Sequence, residues 1–384
     1  MTWAAVLLFI ALAALWLEDK TPRQALFSVA REALKEFRRM GVPMHALEHS
    51  VMIKGLARHG AFPYRKRRLD AAHLPVILNI PTSEGSGEAT HPDVIHVPGG
   101  WGAGRWTWLM SATPYPSGGD YCENPEIYVS YDGIRWTVPA EGVNPLAGIP
   151  AEIGRRDLKK EYHSDASLLM HGGKLRVYYR WSGVMLDGSV ENRLYAMNSE
   201  DGIKWGARTM LFGENGAIPA NRDFLSPSVS RVDGKFIMWT VEREGGWRVI
   251  MRRSSDDGLE WSSPEKTFLE ADYGPIQPWH LDVTECGETG GTILLLAAAE
   301  DRGHRSELHY GFGDREGRAW KLAGKLIEPG YSFEWGRIYR SSLAFREKGR
   351  YALFYSAHGD DGKWSIARLD LRLDARRKVF EYVR

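Results

Sequence analysis

Tyr162-His163-Ser164-Asp165-Ala166-Ser167-Leu168-Leu169-Met170, closed by a Gly172-Gly173 turn, is the stretch from which the fold can be read. Alone it is a short apolar strand led in by polar residues. The chain then returns to versions of it. His91-Pro92-Asp93 leads Val94-Ile95-His96-Val97 and Gly99-Gly100; Leu225-Ser226-Pro227-Ser228 leads Val229-Ser230-Arg231-Val232 and Asp233-Gly234. His280-Leu281-Asp282 leads Val283-Thr284 and Gly290-Gly291, and Tyr339-Arg340-Ser341 leads Ser342-Leu343-Ala344-Phe345 and Gly349. A unit that recurs at a spacing of roughly 55–70 residues is the mark of a repeat architecture.

Each unit continues with a second β-prone run: Trp106–Met110, Leu175–Arg180, Phe236–Val241, Thr292–Leu296 and Tyr351–Tyr355. Aromatic and β-branched residues in such runs suit a buried pleated sheet. A third strand leads into a turn of fixed pattern. It is Ser130-Tyr131-Asp132-Gly133-Ile134-Arg135-Trp136, then Ser199-Glu200-Asp201-Gly202-Ile203-Lys204-Trp205, then Ser255-Asp256-Asp257-Gly258-Leu259-Glu260-Trp261. A worn fourth copy is Asp314–Trp320 and a shortened fifth is Asp361-Gly362-Lys363-Trp364. Here Gly supplies positive φ, Asp closes the turn on its own backbone, and Trp packs back on the sheet. These acids are structural. Five units of four strands predict an all-β, closed five-bladed propeller whose first strands line the axis, with their leading polar residues converging at one end.

Composition fits a large core: 384 residues, 43% hydrophobic and 26% charged. Fifteen Trp and 41 Gly favour aromatic-packed sheets with many turns over a helical bundle. A formal net charge of +1 excludes nucleic acid as an electrostatically selected partner. Cys122 and Cys286 form neither a disulfide framework nor a metal spacing.

The first seventy residues read differently, and the expected divisions are residues 1–20, 21–70 and 71–384. Trp3 to Leu17 is an apolar run shorter than the roughly 20 residues that span a bilayer. It reads as a signal segment, a short membrane anchor or a buried helix, without a basic leader or an evident cleavage site. An anchor with Lys20, Arg23 and Arg31 behind it would follow the positive-inside rule, and an exported enzyme would want the opposite orientation. The expected location is therefore membrane-associated or exported. Thr21-Pro22 with Gln24 caps an amphipathic helix carrying Leu26, Phe27, Ala30, Leu34 and Phe37 and ending at Gly41. A second short helix is expected over about 44–58, and Arg65-Lys66-Arg67-Arg68 is a charge run.

From about Leu74 onward, the inner-strand acids and the Ser-x-Asp-Gly-x-x-Trp turns resemble the five-bladed propeller glycoside hydrolases: arabinanases, β-xylosidases, invertases and levanases. The resemblance implies a carbohydrate-active enzyme, a glycosidase acting on an oligo- or polysaccharide and needing no cofactor. It implies an acid on the first inner strand as base or nucleophile, matched by Asp93, and a second Asp that tunes the acid and holds the sugar, matched by Asp165. Its general acid is a Glu from a later blade. The third inner strand offers Ser226-Pro227-Ser228 and no carboxylate, so Glu242 and Asp282 are the nearest substitutes. The catalytic candidates are thus Asp93, Asp165, Asp282 and Glu242; the alternative for the inner-strand acids is capping of backbone N–H groups.

His91, His163 and His280 are candidates for binding sugar hydroxyls or orienting the acids, and a central divalent metal is the other role open to them. Arg180, Arg337 and Arg340 could face the same cavity, where an arginine suits an acidic sugar or a channel aspartate. Trp279, Tyr115 and Trp181 could stack on sugar rings. The polar run Tyr121–Glu126 reads as a loop over the site. Two rival functions stand beside the enzyme: a non-catalytic glycan-binding propeller, and an interaction propeller assembling at a membrane.

Overall fold

The structure is a computed structural model that describes residues 74–148, 158–212, 224–272, 274–300, 305–334 and 337–383. All of them lie in the compact unit Arg67–Arg384. The apolar run, both N-terminal helices and the basic run expected over the first seventy residues lie outside them. Among the described residues no helix is long and apolar enough to cross a membrane.

Five antiparallel blades follow one another. Their inner strands are Ala89–Trp101, Leu158–His171, Phe224–Val232, Pro278–Cys286 and Arg337–Glu347. Each pairs with a second strand: Trp106–Pro114, Lys174–Met185, Lys235–Glu244, Gly291–Glu300 and Arg350–His358. All five β-prone runs read from the sequence lie within these second strands. The first blade has three strands among the described residues, Glu126–Ser130 being its third, where four were expected. The ring is clasped by strand exchange: Val76–Ile77, ahead of the first blade, pairs with Trp364–Asp374 of the fifth. Between blades the packing is apolar. One core joins Leu109, Val129, Leu168, Val177 and Tyr179 of the first two blades, and another joins Leu225, Trp239, Leu281, Leu296 and Trp320 of the third and fourth.

The repeated turns work as the sequence implies. In each intact copy the Ser hydroxyl accepts from the Gly N–H at 2.9 Å. The Asp carboxylate accepts from the next two backbone N–H groups at 2.7–2.9 Å. The turns also touch the preceding blade. The Tyr178 hydroxyl donates to Gly258 O at 3.1 Å, Trp239 Nε1 to Gly317 O at 2.8 Å, and Arg368 Nη1 to Asp132 O at 2.7 Å.

Candidate functional site

Every inner strand is bulged near its start, between Thr90 and Asp93, Ser164 and Ser167, Leu225 and Ser228, Pro278 and His280, and Ile338 and Ser341. His91, Asp165 and Ser226 sit there at positive φ, 53–55°. A bulge with a left-handed residue re-aims a side chain that simple alternation would send elsewhere. The bulges set up two levels along the axis.

The lower level is a closed ring of hydrogen bonds from blade to blade. Ser342 Oγ accepts from Val94 N at 3.0 Å, and Asp93 accepts from Leu168 N. Ser167 Oγ accepts from Val229 N at 3.2 Å, Ser228 Oγ from Val283 N at 2.9 Å, and Asp282 Oδ2 from Leu343 N at 3.0 Å. Asp93, Ser167, Ser228, Asp282 and Ser342 thus hold equivalent places, each binding the following blade.

The upper level, two residues earlier in each strand, holds His91, Asp165, Ser226, His280 and Arg340. The sequence motif His-x-Asp therefore hides a shift. His91-Pro92-Asp93 and His280-Leu281-Asp282 put His above and Asp below, whereas His163-Ser164-Asp165 puts its Asp above, in register with His91. Asp93 and Asp165, paired by the resemblance, stand at different levels.

Three upper residues converge. Asp165 Oδ1 is 3.5 Å from His91 Nε2 and 3.3 Å from His280 Nδ1, and all three ligand-capable atoms lie within 4.8 Å of one another. His91 Nε2, both Asp165 oxygens and both His280 nitrogens are buried and make no hydrogen bond of good geometry. His91 Nδ1 is held by Thr113 Oγ1 at 2.8 Å. Two cations flank the carboxylate: Arg180 Nε is 3.0 Å from Asp165 Oδ2, and Arg340 Nη1 is 3.8 Å from Oδ1. Arg340 also donates to Pro227 O at 2.9 Å and stands 3.6 Å from Asp93.

Burial would raise Asp165, but the Arg180 charge beside it outweighs this, and its carboxyl is held well below the usual range. Burial lowers both His91 and His280, so the imidazoles are neutral at pH 7. Glu123 moves the other way. Its Oε1 lies 3.7 Å from His91 Nδ1, and burial followed by the Asp165 charge pushes it well above the carboxylate range. Asp93 is raised to about 7 by burial and then by Asp282; Asp282 is raised by burial. The half-buried rings of Tyr339 and Trp279 complete the cluster. Tyr339 packs on His280 at 4.2 Å and His91 at 5.0 Å, and Trp279 stands 4.8 Å from Tyr339.

Several sequence expectations are corrected here. His163 is fully buried against Tyr179, 5.6 Å away, with both ring nitrogens unpartnered and its pKa pushed down to about 3 by burial. It belongs to blade packing, because the bulge that brings Asp165 to the axis begins after Ser164. Glu242 is fully buried in the third blade, 2.7 Å from Arg253 and accepting from Thr240, so its carboxylate is committed to an ion pair. Trp181 is likewise buried, with its Nε1 donating to Glu161. Two residues absent from the candidate set belong to the cluster. Glu123 lay in the polar run read as a covering loop, and Tyr339 immediately precedes Arg340 in the fifth repeat.

No protein-family model matches the chain. It is 26% identical over 318 residues to an A type blood N-acetyl-alpha-D-galactosamine deacetylase of Flavonifractor plautii, over 70% of this chain and 40% of that protein. The chain thus spans less than half of that relative's length. Among solved structures it is similar to an N-acetylgalactosamine deacetylase from F. plautii in complex with blood group B trisaccharide. The TM-score is 0.68 at 21% identity, covering 80% of this chain and 96% of that one. It is also similar to a thermostable family-43 glycoside hydrolase (TM-score 0.52, 14% identity, 77% and 92% covered). A third is the GH32 β-fructofuranosidase of Bombyx mori (TM-score 0.54, 16% identity, 83% and 66% covered). At these identities the structural likeness concerns the fold. By fold, the chain is a five-bladed β-propeller, similar to those of the family-43 glycoside hydrolase and the GH32 β-fructofuranosidase.

Proposed function

We propose that this protein is a carbohydrate-active hydrolase that removes the acetyl group of an N-acetylated sugar at the head of the propeller axis. The observation that carries this reading is the convergence of His91, Asp165 and His280 with no hydrogen bond of good geometry made by their facing atoms. The sequence match to a deacetylase supports it.

The three residues fit a divalent metal ion. Two imidazole nitrogens and a carboxylate oxygen, all within 4.8 Å of one another, would hold it. Two neutral imidazoles and one ionised carboxylate are a common donor set for such ions, and Thr113 holds the far nitrogen of the His91 ring, fixing its orientation. When bound, the ion would supply Lewis-acid polarisation of the amide oxygen and acidify water.

The chain's own residues supply the rest. Glu123, raised by burial beside His91, would give its proton to the amine as the C–N bond breaks and acetate leaves, and take one back from water. Tyr339 and Trp279 offer apolar ring surface for the sugar. Glycosidic cleavage would need two carboxyls flanking the scissile bond. Of the candidate acids, Asp93 and Asp282 cap neighbouring blades and Glu242 is ion-paired in the third, which leaves Asp165 with Glu123 as the rival pair.

The test is one incubation read two ways. Purified protein is offered N-acetylated oligosaccharides, and both acetate and new reducing ends are measured. Acetate is expected, lost with chelator, regained with added Zn²⁺ or Mn²⁺, and absent from Asp165→Asn. Reducing ends without acetate would overturn deacetylation in favour of glycosidic cleavage. Sugar binding without either product would point to the glycan-binding propeller.

A further inference from the structure

We infer that the glycan carries an anionic group and that Arg337 reads it. This rests on the preceding reading that the cluster binds a sugar. Three arginines were candidates for the axial site, and two are satisfied within it. Arg180 and Arg340 both face Asp165, and Arg340 also faces Asp93. Arg337 is different. It opens the fifth inner strand and is half-buried, and its guanidinium has no hydrogen-bond or ion-pair partner among the described residues. A half-buried guanidinium keeps its N–H donors open to a ligand.

Its place is at the mouth of the cluster. Arg337 stands two residues before Tyr339, just ahead of the bulge, and pairs across the blade with His358, whose ring lies 5.1 Å from that of Trp364. Tyr339 is the ring that packs on both imidazoles. From Tyr339 a line of aromatic contacts runs to the buried Trp364 at 5.3 Å and from Trp364 to Tyr115 at 5.5 Å. The Arg337 charge acts on the Tyr115 phenol, lowering a pKa that burial raises. The other mouth cation, Lys160, is held by Asp120 at 2.5 Å. So a guanidinium without a partner among the described residues stands beside a wall of aromatic rings that reaches the His–Asp–His cluster. A planar fork of N–H donors matches a carboxylate, sulfate or phosphate bidentately. A sugar packed on that wall with its acetamido group at the cluster would bring an acidic substituent, on itself or on the adjoining residue, to Arg337.

The test compares matched N-acetylated oligosaccharides: one with a uronic acid, one sulfated, and one neutral with the carboxyl reduced. Acetate release and equilibrium binding are both measured. For the wild type we expect at least tenfold higher kcat/KM on one or both acidic forms, expressed in KM and shrinking as salt rises. The uronic and sulfated arms tell which anion is read. Arg337→Gln should bring the acidic substrates down to the level of the neutral one, and Arg337→Lys should recover part of the preference. Equal efficiency of the wild type on neutral and acidic forms would overturn the inference, as would an equal loss on all three in Arg337→Gln. Should no substrate release acetate, deacetylation fails, and the binding series still decides the role of Arg337: acid-selective affinity lost in Arg337→Gln upholds it, and unselective affinity refutes it.

Discussion

Two buried carboxylates with raised pKa values, Glu123 and Asp93, should answer differently to the same amide substitution. Glu123, 3.7 Å from His91, is the proton donor in the proposed deacetylation, so on that reading Glu123→Gln should cut turnover by about 10²–10⁴-fold. Asp93 is engaged below, accepting from Leu168 N and facing Arg340, and an Asn there keeps an acceptor oxygen. Asp93→Asn should therefore retain turnover within about an order of magnitude of the wild type; loss as deep as that of Glu123→Gln would put Asp93 in the chemistry. Stability should also respond. With a folded pKa of about 7 against an unfolded value of 3.8, the native state holds a proton that the unfolded chain has released. Stability from this group is then complete at low pH and is lost as pH rises through about 4 to 7. Asp93→Asn removes that loss, so its denaturation midpoint should gain on the wild type at pH 8 and not at pH 4. The residue types at the axis were legible in the sequence as a recurring polar lead. Their levels were not, because a one-place bulge decides which of two neighbouring polar residues faces the axis.

Each repeated turn closes a hairpin and also docks on the neighbouring blade. Its glycine has both tasks. At Gly258, φ is +74°, and a Cβ would lie 2.6 Å from Arg176 Nη1 and Tyr178 Oη and 2.9 Å from Phe236 Cδ1. At Gly172, φ is +58° and a Cβ would meet open space. Gly172→Ala should therefore cost about 1 kcal/mol, the backbone penalty alone, whereas Gly258→Ala adds overpacking and should cost roughly 2–4 kcal/mol. Denaturant unfolding of the two variants measures the difference directly; equal costs would mean that the turn does not bind its neighbour. The hairpin role of these turns was readable from Ser, Asp, Gly and Trp at fixed spacing. The docking role was not, since Tyr178 and Trp239, which donate to the turns of the following blades, lie about eighty residues away in sequence.

For the whole molecule, the question is how a ring of blades holds shut. Two belts of inter-blade hydrogen bonds, one at the axis and one through the turns, add to the apolar packing between blades. The clasp of Val76–Ile77 on the last blade ties the beginning of the ring to its end, and Leu78 and Ile80 are buried behind it. A chain beginning at Thr82 should lose roughly 3–6 kcal/mol relative to one beginning at Leu74, since two large aliphatic side chains leave the core. Thermal denaturation of the two would check this, and identical midpoints would show that the clasp is dispensable.

What the amino-acid sequence determined by itself was the repeat, and with it the blade count, the strand order and the hairpin turns. These depend on local patterning: period-two alternation, glycine where φ must be positive, and aromatic residues that fill a sheet-on-sheet core. Only the tertiary structure decided which polar residues share the axis. Strand register is set by pairing across a blade, and the bulges move Asp165 up to meet His91 and His280 while leaving Asp93 and Asp282 below. Glu123 reaches the same cluster from a connection between strands, and neither periodicity nor spacing marks such a residue.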